Sequence, residues 1–225
     1  MQIIGILGGT FNPIHFGHLR MAQELTNALG FNEVRFIPSA NPPHKITPTV
    51  SAEHRAQMVQ LAIEDNALFT LDRRELRRIG ASYTIDTLQS IRSEIGSDAS
   101  LCLMMGNDAF TKLNTWHHWQ HLLDFCHIVL VKRPSSGSNS LAGTGSLSNA
   151  QPPLHKELEL LLHNHYTENA DDLKFQQAGY IHMQSITALD ISSTAIRASF
   201  EHKQLPRYLM PQLVIDYITI NQLYI

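Results

Sequence analysis

Apolar residues along this chain follow two rhythms that alternate. The first is a short unbroken run: Ile3, Ile4, Ile6 and Leu7 before Gly8-Gly9; Val34, Phe36 and Ile37 within 33–38; Phe69 to Leu71; Leu101 to Met105 before Gly106; Cys126 to Val131 before Arg133-Pro134; and Tyr180 to Met183. Runs of this length without polar alternation predict strands buried on both faces of a parallel sheet. The second rhythm spaces apolar residues three or four apart: Leu19, Ala22, Leu25, Ala28 and Leu29 with Gly30 as a stop; Ala52, Ala56, Val59 and Ile63 behind a Ser51 cap; Leu88, Ile91 and Ile95 from Thr84 to Gly96; and Leu154, Leu158, Leu161 and Leu162. These predict helices. After the segment from Asp190 to Phe200, Leu213, Ile215, Tyr217 and Ile218 predict a last one. The alternation specifies an α/β fold, a doubly wound parallel sheet with helical C-terminal additions.

Two stretches carry neither rhythm. Pro38, Pro42, Pro43 and Pro48 keep the loop after the second strand from being helical. Residues 134–153, rich in Ser, Gly, Asn and Pro, read as a flexible surface insertion within a single domain spanning 1–225, which contains no internal repeat. Hydrophobic residues at 43% and charged ones at 16% exclude a disordered chain. Lys and Arg number 17 against 20 Asp and Glu, a net charge of −3, so no overall positive field draws the molecule to nucleic acid or an anionic membrane. Phosphate binding must therefore be local. Met1-Gln2-Ile3-Ile4 has no basic leader, and no segment reaches a membrane span, which leads us to expect a cytoplasmic protein. Cys102 and Cys126 sit in apolar runs and suit buried free thiols rather than a disulfide or zinc framework.

Thirteen histidines are the compositional oddity, and two of them stand where chemistry is expected. Gly8-Gly9-Thr10-Phe11-Asn12-Pro13-Ile14-His15-Phe16-Gly17-His18 follows the first strand. The glycines allow close backbone approach to a ligand, and histidines three apart at a helix start share a face. Helix-opening amides, the macrodipole and two imidazoles together make an anion site. The plainer alternative is a tight turn with His15 and His18 as caps. Neither Gly-x-Gly-x-x-Gly nor Gly-x4-Gly-Lys-Ser/Thr is present to explain the glycines otherwise.

With this motif the chain resembles the nucleotidyltransferase superfamily that carries His-x-x-His, and more closely the bacterial nicotinate mononucleotide adenylyltransferases. The likeness rests on five blocks in order: Gly-Gly-Thr-Phe-x-Pro-Ile-His-x-Gly-His at 8–18, Pro-Pro-His-Lys at 42–45, Ser-Tyr-Thr-x-Asp-Thr-Leu at 82–88, Gly-x-Asp-Ala-Phe and Trp-x-x-Trp within 106–119, and Ile-Ser-Ser-Thr-x-Ile-Arg at 191–197. It departs at Asn12, where that family more usually has Asp, and in a longer loop after Arg133. The resemblance implies a Rossmann-like nucleotidyltransferase fold and transfer of AMP from ATP to nicotinate mononucleotide in NAD biosynthesis. It also implies that Mg²⁺ is brought in with ATP and that the protein itself holds no metal.

The same resemblance assigns roles. His15, His18 and Arg197 would be catalytic. Gly8, Gly9, Phe11, His15, His18, Gly106, Asp108, Arg133, Ser193, Thr194 and Arg197 would line the ATP site, with Thr10, His44, Lys45, Ser82, Tyr83, Thr84 and Trp116 at the mononucleotide. Each has a plainer alternative. Lys45 with His44 on a proline-stiffened loop is a phosphate clamp or a solvated side chain. Ser192, Ser193 and Thr194 are helix caps or, with Arg197 a turn later, a second anion site. If Thr84 caps the helix beginning at Ile85, amides and dipole face a pyridine carboxylate, with Trp116 stacked on the ring and Trp119 left to the core. Asp108 contacts ribose or merely caps a helix.

Three other readings compete with this one. A zinc hydrolase would use His117, His118 and His121 on one helical stretch, but no His-Glu-x-x-His occurs. A non-catalytic nucleotide sensor has intact His15, His18 and Arg197 against it. Pantetheine-phosphate adenylyltransferases are shorter and lack the Pro-Pro-His-Lys and Ser-Tyr-Thr blocks. The sequence does not fix the oligomeric state.

Overall fold

The computed structural model describes residues 1–42, 48–132, 154–187 and 189–224. It opens with β1 (Gln2–Gly9) and α1 (Phe16–Leu29). Ile3 and Leu7 of β1 join one apolar cluster while Ile4 and Ile6 join another, so both sheet faces are covered, as an unbroken run requires. α1 stops at Gly30, which adopts the left-handed region (φ 73°) and returns its N–H to the Thr26 carbonyl at 2.9 Å. Ala28, expected inside, is exposed; Thr26 takes the buried place instead, its hydroxyl satisfied by the Ala22 carbonyl at 2.8 Å.

β2 (Glu33–Pro38), α2 (Ala52–Ile63), β3 (Phe69–Leu71), α3 (Thr84–Ile95) and β4 (Ala99–Gly106) follow the predicted order. A short α4 (Asn107–Phe110) and 3-10 turns at Leu113–Thr115 and Trp119–Asp124 lead into β5 (His127–Lys132). The expected helix carrying His117, His118 and His121 is instead a tight turn at His117 and His118, with His118 at φ 50°, followed by the 3-10 segment that holds His121. Beyond the predicted insertion, which lies outside the described residues, come α5 (Lys156–His165), β6 (Tyr166–Thr167), α6 (Asp172–Phe175), β7 (Ile181–Ser185), α7 (Ser193–Glu201) and α8 (Gln212–Ile220). β6 has no apolar run to announce it.

Among the described residues the strands form one sheet, ordered β3-β2-β1-β4-β5-β7-β6, every neighbouring pair parallel. α1, α2, α7 and α8 cover one face, and α3, α5 and the 3-10 turns the other. The winding reverses between β1 and β4. At such a switch point the helices diverge to opposite faces and leave a crevice beyond the strands' C-terminal ends. Gly8-Gly9 and Gly106 stand at that edge. No described helix is long and apolar enough to cross a membrane. Cys102 and Cys126 are free and buried as expected; burial pushes the Cys102 thiol up to about 12 and raises Cys126 as well.

At the opposite end of the sheet His127 is fully buried. Its Nδ1 accepts from the Tyr180 amide at 3.0 Å, and its Nε2 donates to the Gln176 carbonyl at 2.9 Å. A proton on Nδ1 would face the Tyr180 N–H, and burial first of all holds the ring's pKa below the ordinary histidine value. The unfolded chain therefore gains a proton that the folded one resists as pH drops through about 6.5, and stability falls with it. We expect the melting temperature to decline between about pH 7.5 and about pH 5 less steeply in His127→Asn than in the parent. Parallel pH profiles would show that His127 is not the acid-sensitive group.

Candidate active site

The loop between β1 and α1 is held by its carbonyl groups. Arg55 Nη1 donates to Thr10 O at 2.6 Å, Arg197 Nη1 to Asn12 O at 2.8 Å, and Ser193 Oγ to Pro13 O at 2.9 Å. The Asn12-Pro13 peptide is cis. Phe11, at φ 46°, buries its ring against Gly9, where a Cβ would lie 3.2 Å from the ring, and meets the edge of His18 at 5.1 Å between ring centroids. Phe11 thus packs beneath the motif rather than reaching outward.

Arg55 escaped the sequence reading, although its spacing of four from Val59 placed it on the buried stripe of α2. It is 1% exposed. Besides Thr10 it donates to Ala40 O at 3.3 Å and Val50 O at 3.4 Å, and burial depresses its pKa. Three carbonyls, one from the β1–α1 loop and two from the β2–α2 loop, thus share one guanidinium.

His15 is the N-cap of α1. Its Nδ1 accepts from the Gly17 amide at 3.1 Å, while His18 Nδ1 accepts from the His15 amide at 3.3 Å, a reciprocal cap. The rings stack at 3.8 Å and 27°. A Cβ at Gly17 would stand 2.9 Å from the His15 ring, so glycine is required there. With Nδ1 accepting, each neutral ring carries its proton on Nε2, and both are Nε2 donors. The capping alternative and the functional one are therefore compatible. The expected supply of helix-opening amides needs correction: Phe16 N–H is given to Leu209 O, Gly17 N–H to His15 Nδ1, and His18 N–H to His15 O. What α1 offers an anion is its dipole and the imidazoles. No acidic residue stands in its first turn.

α7 approaches the same loop. Ser192 caps it by accepting from Ala195 N at 3.2 Å; Ser193 is spent on Pro13, and Thr194 Oγ1 accepts from Arg197 Nη2 at 3.3 Å. His15, His18, Ser193, Thr194 and Arg197 are therefore gathered around residues 10–15. Gly8 and Gly106 end adjacent strands beside them, and a Cβ at either would meet no atom within 4 Å. Packing does not demand those glycines. Asp108 is exposed in the first turn of α4; Gly106, not Asp108, occupies the cap position.

A second group forms across the crevice. Ser82 Oγ accepts from the amides of Ala40 and Asn41 at 3.1 and 3.2 Å, fastening the turn before α3 to the loop after β2. Thr84 is not the cap of α3 but its first residue; Tyr83 occupies the cap position without a side-chain bond, and among the described residues the first-turn amides of Thr84 and Ile85 have no acceptor. The Tyr83 ring stacks on His117 at 4.3 Å, and Trp116 is half-buried against the core, where Trp119 belongs as expected. Beneath this turn Glu75 is 6% exposed: Oε1 accepts from Thr87 Oγ1 at 2.8 Å, and Oε2 has no hydrogen-bond partner among the described residues. Burial pushes its pKa up against the pull of the Thr87 and Ser82 hydroxyls and Arg78. Through Ala40, Arg55 ties this group to the loop at Thr10.

His44, Lys45 and Arg133 lie outside the described residues. Among those described, no three His, Cys, Asp or Glu side chains are placed to hold a metal ion; His121 is bonded to Asp124 at 2.9 Å. The site's donors are imidazoles, a guanidinium, the Thr194 hydroxyl and the start of α3, suited to phosphate and carboxylate oxygens.

The cytidylyltransferase-like family model matches residues 6–199, and the fold is that of a nucleotidyltransferase. An Aeromonas salmonicida protein named "Probable nicotinate-nucleotide adenylyltransferase" is 42% identical over 221 residues, 98% of this chain and 96% of that one. One of the same name from Acidithiobacillus ferrooxidans is 39% identical over 97% of this chain and 94% of its own. The chain belongs to the nicotinate-nucleotide adenylyltransferase family. A solved Plasmodium falciparum nicotinic acid mononucleotide adenylyltransferase complexed with NaAD has the same fold, with a TM-score of 0.69 at 16% identity over 100% of this chain and 98% of that one.

Arg55→Leu strands three carbonyls, each costing about 1 to 3 kcal/mol if left unmet, with partial relaxation expected. We predict a loss of roughly 2 to 4 kcal/mol in denaturant unfolding. An unchanged midpoint would mean that the two loops do not depend on this guanidinium.

Proposed function

We propose that this chain transfers the adenylyl group of ATP to nicotinate mononucleotide, giving nicotinate adenine dinucleotide and pyrophosphate. One observation carries the reading: the stacked His15 and His18 rings sit beside the open ends of β1 and β4, on the loop that also receives Arg197. Family membership and the names of the relatives support it.

In this reaction a phosphate oxygen of the mononucleotide attacks the α-phosphorus of ATP while the bond to pyrophosphate breaks. The nucleophile is already an anion, so no seryl or cysteinyl intermediate and no general base is needed. The protein's task is to hold two polyanions in line and to stabilise charge on the α-phosphoryl oxygens and the departing pyrophosphate. His15 and His18 donate from Nε2, His18 closest to the reacting phosphorus, while Arg197 and the start of α7 meet the triphosphate. Gly8, Gly9, Gly106, Asp108 and Arg133 border the adenosine side. Thr10 orients the mononucleotide phosphate, and His44 and Lys45 close over it. Mg²⁺ enters on ATP as part of the substrate and neutralises its phosphates. Both substrates are soluble metabolites, and we place the enzyme in the cytoplasm.

Preference for the acid follows from α3. Its first-turn amides at Thr84 and Ile85 and its dipole favour a carboxylate over an uncharged carboxamide, with the pyridine ring against Trp116.

Two measurements test this. Purified protein with ATP, Mg²⁺ and nicotinate mononucleotide releases pyrophosphate, and much less with the nicotinamide analogue; equal rates would remove the carboxylate argument. His18→Ala, folded by circular dichroism, loses about 3 to 4 kcal/mol of transition-state stabilisation, a factor of about 10² to 10³ in turnover. Near-normal turnover in that variant would reject the role of His18.

A further inference from the structure

The turn that follows α8 brings Tyr224 into the β1–α1 loop from behind. Its hydroxyl donates to Asn12 Oδ1 at 2.6 Å, across a sequence separation of 212 residues. The same Asn12 presents its main-chain carbonyl to Arg197 Nη1 at 2.8 Å. One residue is thus gripped by both the phenol and the guanidinium. Tyr224 stands at φ 64°, a left-handed conformation that a bulky side chain rarely adopts. Around it, Leu223 N–H is tied to Ile218 O at 2.9 Å, the Phe200 ring lies 6.3 Å from the Tyr224 ring, and both Leu223 and Tyr224 pack on the core beneath α7 and α8. α8 itself is pinned to α2 by His54 Nδ1 and the Tyr217 hydroxyl at 2.8 Å.

We propose that Tyr224 is a positioning residue for Arg197: by fixing the Asn12 side chain it fixes the carbonyl that aims the guanidinium at the phosphates. Packing alone would be served by phenylalanine, whereas a half-buried phenol turned into the protein needs an acceptor, and here the acceptor belongs to the loop bearing His15 and His18. Burial raises the Tyr224 pKa, with Arg197 and Arg55 nearby pulling the other way, so the hydroxyl keeps its proton and acts as donor throughout the working range. The amide at position 12 also suits this arrangement. It accepts the phenol without placing a carboxylate beside Arg197, whose charge stays undivided for the substrate.

The inference rests on the role given to Arg197 above, and the experiment separates the two. Initial rates are measured for the parent, Tyr224→Phe, Arg197→Ala and the double variant, with melting temperatures for each. We expect Tyr224→Phe to lower kcat about tenfold with KM for both substrates within about twofold and the melting temperature nearly unchanged, and to add nothing further in the Arg197→Ala background. Full turnover in Tyr224→Phe while Arg197→Ala is impaired overturns the inference and leaves the site reading intact. An equal loss from Tyr224→Phe in both backgrounds also overturns it, because the phenol would then act through something other than Arg197. Normal turnover in Arg197→Ala removes both readings.

Discussion

The molecule depends on a loop whose carbonyls are turned toward cations and hydroxyls supplied by other elements. Thr10, Asn12 and Pro13 each surrender a main-chain oxygen, to Arg55 of α2, Arg197 of α7 and Ser193 of α7. Carbonyls left bare in a half-buried turn would each cost about 1 to 3 kcal/mol, so the three donors are part of what keeps the turn in its conformation. The same bonds decide where chemistry sits. They draw α7 against α1, bring two helix starts to one crevice, and hold His15 where its ring can cap α1 and stack on His18.

Electrostatics follows from that arrangement. A chain with net charge −3 has no long-range pull on polyanions, yet the first turns of α1 and α7 contain no acid, and Arg55 is buried with only carbonyl acceptors for its hydrogen bonds among the described residues. Two acids elsewhere in the molecule are compensated: Glu94 is paired with Arg35 and Arg74, and Glu24 accepts the Thr187 amide and pairs with Arg20. Glu75 is the exception, a buried carboxyl whose raised pKa reduces the charge it would bring beside the turn at Ser82. Stability and binding thus meet in the same few groups, since a guanidinium that ties loops together also contributes to the potential above them.

Much of the framework was legible because burial on both faces leaves a strong trace. β2 and β3 fall where the apolar runs placed them, and α1 and α3 end at Gly30 and Gly96. Errors arose where a residue's identity and its environment disagree. Ala28 is apolar but exposed, and Thr26 is polar but buried because its hydroxyl bonds within the helix. Arg55 is charged yet deep in the core, and β6 borrows its strand geometry from pairing with β7 rather than from its own two residues. The histidines at 117 and 118 mark no helix; their backbone follows the tight turn before the second 3-10 segment.

The sequence by itself determined the succession of strands and helices, the buried thiols, and the candidate chemistry at positions 8–18, 82–88 and 191–197, since periodicity, glycine placement and motif spacing are local properties of the chain. Tertiary structure alone decided the strand order with its reversal between β1 and β4, the use of the α1 amides within the protein, and the meeting of Asn12 with Arg197 and Tyr224. Those are contacts between residues far apart in sequence, each made only after the sheet has brought its partners together, and no local pattern encodes which carbonyl a distant donor will find.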